Sequence, residues 1–111
     1  MVTRSERWPV YRASDEVEQE EWLAALDRAA ARLDLGAAAR SRAADLFLST
    51  LPDEDRSKRT TLAAALYVAT LTVGDARSQG EVAHAVGVSR HAVQQRWKDL
   101  MEDAGLEPPS W

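Results

Sequence analysis

The feature that most limits what this chain can fold into is the run from Ser78 to Lys98, SQGEVAHAVGVSRHAVQQRWK, which holds two helix starts and one helix stop. Ser78 followed three residues later by Glu81 is a capping box. The serine hydroxyl takes the glutamate N–H and the glutamate carboxylate takes the serine N–H, so a helix begins at Gln79. Val82, Ala83 and Val86 give that helix an apolar face, with Ala83 small where a second helix crosses closely. Gly87 ends it, because glycine reaches the left-handed backbone region without a Cβ penalty, and Val88 supplies the apolar partner of such a cap. Ser89 then N-caps a second helix. Two helices joined by so short a turn are a helix-turn-helix, here spanning residues 79–98.

In the second helix Val93, Trp97, Leu100 and Ala104 recur at spacings of four, three and four, and Met101 widens a stripe that packs inward. The opposite face carries Arg90, His91, Gln94, Gln95 and Lys98 behind Ser89, an array suited to base edges and phosphates, with no carboxylate before Asp99. A helix of this kind lies in the major groove with its N-terminal residues on base edges, and Gln94 can pair bidentately with adenine. Arg96 departs from the pattern. Many such pairs carry an apolar residue there, so Arg96 must snorkel past the core edge or reach a phosphate. The competing reading is two amphipathic helices of a bundle with an ordinary polar face. It leaves the agreement of capping box, small residue, turn glycine and in-phase Val93 unexplained.

Upstream, residues 1–13 show no sustained periodicity, and Pro9 disfavours helix just before it, which predicts an N-terminal arm. Ser14 with Asp15 and Glu16 starts a first helix, whose stripe is Trp22, Leu26, Ala29 and Leu33, flanked by Leu23 and Ala30. Leu35 and Gly36 mark its end. Ala39, Ala43, Leu46 and Phe47 give a second helix that stops at Leu51, before Pro52. Ser57 caps a third, and Leu62 to Leu71 is apolar nearly all round, so this helix is a surrounded hub with Tyr67 carrying its hydroxyl to an edge. Val73, Gly74 and Asp75 close it. After Met101 come a stop at Gly105, a diproline and Trp111. The domain therefore covers residues 14–106, with a short tail at 107–111.

A chain of 111 residues supports one core, which buries roughly 65% of the unfolded surface. Without an apolar run near membrane length or a leader pattern, the expected location is the cytoplasm. The absence of cysteine excludes disulfides, a thiol nucleophile and the usual zinc cage, and His84 and His91 alone cannot make one. No metal or cofactor is expected. No nucleophile, base and orienting group converge and no phosphate-cradling glycine loop is present, which argues against an enzyme; His84 reads as a solvated helix residue. The net charge of −4 conceals an asymmetry. Asp15 to Asp34 carries a net −5, whereas Arg56 to Lys98 carries a net +5. Arg56, Lys58, Arg59, Arg77 and Arg96 thus become candidate phosphate contacts, the first three at the N-terminal end of the hub, where the helix dipole gives a base nothing.

The segments DRSKRTTLAAALYVATL and RSQGEVAHAVGVSRHAVQQRWKDL resemble the C-terminal cyclin-like repeat of archaeal transcription factor B and its eukaryotic counterpart, transcription factor IIB. The resemblance runs from about Trp22 to Leu106. It implies an all-α, five-helix cyclin-box domain whose last two helices form the helix-turn-helix. It further implies reading of a promoter element beside the TATA box and contact with the TATA-binding protein. The family's usual chain adds a zinc ribbon, a linker and a second repeat, so this chain is expected to be an accessory factor or regulator, with a homodimer as one way to replace the missing repeat. The family's base-reading positions, commonly an aliphatic residue and an arginine, fall on His91 and Gln94, which implies a different DNA sequence. The rival from another class is a cyclin-box protein-interaction module that does not read sequence, a role that the negative net charge would suit.

Overall fold

The computed structural model describes residues 19–50 and 55–107, the side chains of residues 55–57 excepted. Among the described residues are five helices and no strand: α1 over residues 19–32, α2 Ala37–Ser49, α3 Asp55–Thr72, α4 Gln79–Val86 and α5 Arg90–Asp103. The fold is the all-α cyclin-like one expected. The arm, the helix start at Ser14, Leu51 and residues 108–111 lie outside the described residues.

Helix α3 is the hub. Every residue from Thr61 to Thr70 is buried, and α2, α4 and α5 pack around it. Its alanines at 63, 64, 65 and 69 are fully enclosed, so neighbouring backbones approach closely. Around it gather Leu26, Ala29, Ala30 and Leu33 of α1 and its end, Ala39, Ala43, Leu46 and Phe47 of α2, and Val93, Trp97 and Leu100 of α5. Two aromatic pairs add specific geometry: Trp22 meets Phe47 at 6.2 Å between ring centroids, and Trp97 meets Tyr67 edge-on at 5.3 Å.

The boundaries refine the sequence reading in three places. Helix α3 begins at Asp55, so Ser57 lies in its first turn instead of capping it; an acid at the first position suits the dipole. Helix α2 stops at Ser49, ahead of Leu51, with Thr50 as its C-cap, whose N–H and hydroxyl both donate to the Leu46 carbonyl, at 3.2 and 2.7 Å. Between α1 and α2 the left-handed residue is Asp34, at φ 57°, and Gly36 is the extended N-cap of α2. The Leu35 N–H reaches Ala30 O and the Asp34 N–H reaches Ala31 O, a Schellman ending made without glycine.

Candidate nucleic-acid interface

The helix-turn-helix forms as its local chemistry requires. Ser78 is the N-cap of α4: its hydroxyl accepts from the Glu81 N–H at 3.0 Å, and its own N–H donates to Glu81 Oε1 at 2.9 Å. The bond from the Ser78 N–H, with the Ser78 hydroxyl beside it, holds the Glu81 carboxyl below its usual range. Gly87 caps the other end at φ 91°. Ala83 O accepts from both the Gly87 and Val88 N–H groups, and Val88 turns against the core. Ser89 then caps α5 by accepting from the Ala92 N–H at 3.0 Å.

Long-range contacts fix this motif on the bundle, and they draw on bases nominated above as phosphate contacts. Arg59 donates to Val86 O at 3.1 Å and stacks its guanidinium over Trp22, 5.6 Å from the ring centroid. Arg32, which the sequence reading did not single out, donates to Ala85 O at 2.8 Å. Two cations from α1 and α3 thus close the C-terminal carbonyls of α4, where the dipole is negative. Arg77 ties the α3–α4 loop to the end of α1: its Nε donates to Leu33 O at 3.0 Å and its Nη1 to Asp75 Oδ1 at 2.7 Å. The bond to Asp75 raises the Arg77 pKa further.

These contacts correct the list of phosphate candidates. Lys58 is only 6% exposed and so cannot lie along a nucleic-acid surface. Arg77 spends its guanidinium on the chain's own carbonyls, and Arg59 is drawn to the end of α4. Arg96 is half-buried beside Asp103, 3.4 Å away, which matches the expected snorkelling. The side chain of Arg56 lies outside the described residues.

On α5, Val93, Trp97, Leu100 and Met101 face the core. Ser89, Arg90, His91, Gln94 and Gln95 are exposed together on its first turns. Lys98 is half-buried, its Nζ 5.4 Å from the Trp97 ring centroid. Arg90 and Gln94 also border a depression of about 480 Å³ shared with Tyr67, Ser78, Gln79 and Gly80. The structure therefore brings the six nominated residues of α5 onto one stretch of helix and adds the start of α4 beside them. That addition was hidden in sequence because Ser78 and Glu81 read fully as a cap.

Comparison with known proteins bears on the same region. The transcription factor TFIIB repeat matches residues 16–103, most of the chain. The chain belongs to this family. Among its relatives, the transcription initiation factor IIB of Archaeoglobus fulgidus is 47% identical over 45 residues, 40% of this chain and 14% of that protein. The Pyrococcus horikoshii protein of the same description is 44% identical over 48 residues, 43% of this chain and 16% of its own length. The Methanosarcina mazei one is 40% identical over 45 residues, covering 40% and 13%. The matched stretch is thus a small part of each of these relatives. Among the described residues no helix is long and apolar enough to cross a membrane, and no group of acids and histidines is arranged to hold a metal.

Proposed function

We propose that this chain is a DNA-binding transcription protein that reads duplex DNA by laying α5 in the major groove. The observation that carries the reading is the exposure of Arg90, His91, Gln94 and Gln95 on the first turns of a helix whose other face is locked into the core. Gln94 and His91 face base edges, and Arg90 and Lys98 flank them at the phosphates. The relatives' description as transcription initiation factors supports promoter DNA as the target. Further partners under this reading are the TATA-binding protein or another transcription component, and a second copy of the chain in place of a second repeat.

The test separates reading from attraction. Fluorescence anisotropy is measured over a salt series on a duplex selected from a random pool and on a scrambled one. Lys98→Ala is expected to weaken both duplexes alike and to flatten the log-log salt slope by about one unit, since one fewer counterion is released. Gln94→Ala is expected to cost about 1–3 kcal/mol on the selected duplex alone. Equal weakening of both duplexes by both variants, or no binding by the wild type at low salt, would replace this reading with that of a protein-interaction module. The negative net charge of the whole chain favours that second reading.

A further inference from the structure

The depression beside α5 has a chemistry that the capping box does not explain. Tyr67 lines it from α3, Ser78, Gln79 and Gly80 from the start of α4, and Arg90 and Gln94 from α5. Nothing among the described residues accepts from the N–H groups of Gln79 and Gly80, because the box satisfies only Ser78 and Glu81. Both groups stand at the positive end of a helix dipole. Gly80 leaves them uncovered; a Cβ there would meet only Ser78 Oγ, at 3.9 Å.

Two side chains point to the same occupant. Tyr67 is 5% exposed, and its ring is held edge-on to Trp97, yet its hydroxyl has no hydrogen-bond partner among the described residues. That hydroxyl is not closed off from the depression that the tyrosine lines. Arg90 is exposed and pairs with no carboxylate among the described residues. Glu81 borders a separate depression with Arg77 and His84, and its carboxylate is bonded to the Ser78 N–H. Two backbone donors, a hydroxyl and a guanidinium suit a compact anion rich in acceptors.

We propose that this depression seats one phosphodiester of the DNA backbone, held by the Gln79 and Gly80 N–H groups, the Tyr67 hydroxyl and Arg90. The seat rests on the reading of α5 as a DNA reader, and it would set the register at which Gln94, on its rim, meets a base. The test replaces single phosphates of the selected duplex, one at a time, with neutral methylphosphonates and measures affinity for wild type, Tyr67→Phe and Arg90→Gln. The expected result is one linkage whose neutralisation weakens the wild type about tenfold or more, the scale of a lost charge-assisted hydrogen bond. Tyr67→Phe, which keeps the ring against Trp97, should weaken the natural duplex several-fold at unchanged melting temperature. Neither variant should lose further affinity on the duplex neutralised at that linkage. If the wild type prefers the selected duplex yet no single linkage stands out, or if the variants lose the same factor at every linkage, the seat is wrong and base reading survives. If the wild type shows no preference between selected and scrambled duplexes, both ideas fall.

Discussion

The two ends of α4 are held by different means. Its N-terminus is capped by residues three apart in the chain, Ser78 and Glu81, whose reciprocal bonds need no other part of the molecule. Its C-terminus combines a local device, Gly87 at φ 91°, with two remote arginines, one 53 and the other 27 residues away from the carbonyl each caps. The first end can form in an isolated segment. The second exists in full only when α1 and α3 are already in place, so it couples the angle of the helix-turn-helix to the integrity of the bundle.

Substitutions at the two ends sharpen that contrast. The largest effect is expected from Gly87→Val: a Cβ at this position meets nothing within 4 Å, so the loss comes from backbone strain alone, about 1–3 kcal/mol by chemical denaturation. Next, Arg32→Ala and Arg59→Ala should each cost about 1 kcal/mol, because each leaves a helix-end carbonyl without its cation. The double variant should lose less than the sum, since either loss alone loosens the shared end. Strict additivity in a double-mutant cycle would show that the two arginines act independently and that the end is not one unit. Ser78→Ala should cost about 1 kcal/mol, and hydrogen exchange should quicken only in the first turn of α4.

The smallest effect is a pH dependence. The Glu81 carboxyl lies below its ordinary value when folded, so its cap contributes fully above the unfolded-state pKa of about 4.3 and fades as pH falls through the folded value. The melting difference between wild type and Glu81→Gln should therefore shrink as pH is lowered below about 4.3. A difference that grows in acid would mean that the carboxylate is not held by Ser78.

This contrast also explains what could be read from the sequence. Capping boxes, a turn glycine and apolar spacing are local patterns, and α4, α5 and the buried stripe of α5 lie where those patterns put them. The all-round apolar run of the hub likewise announced a surrounded helix. The arginines could not be sorted in the same way. Lys58 and Arg77 look like free surface bases when only their neighbours in sequence are considered, and Arg59, which is exposed, gives no sign of its bond to α4. Their fates depend on carbonyls at Val86 and Leu33 and on the packing around the start of α3, which only the tertiary fold brings near. The left-handed residue at the end of α1 is Asp34, although Gly36 stands two residues on. Tyr67 was recognised as reaching an edge, but the depression there is built from three helices.

A helix with ten successive residues closed to water has no face on which to float while its neighbours are absent. Helix α3 thus cannot mature early as an independent unit; its amides from Thr61 to Thr70 should exchange with solvent only when the whole domain opens, and they mark its global free energy of unfolding. During synthesis the same run emerges before α4 and α5 exist to cover it, so its burial is completed last, when α5 docks.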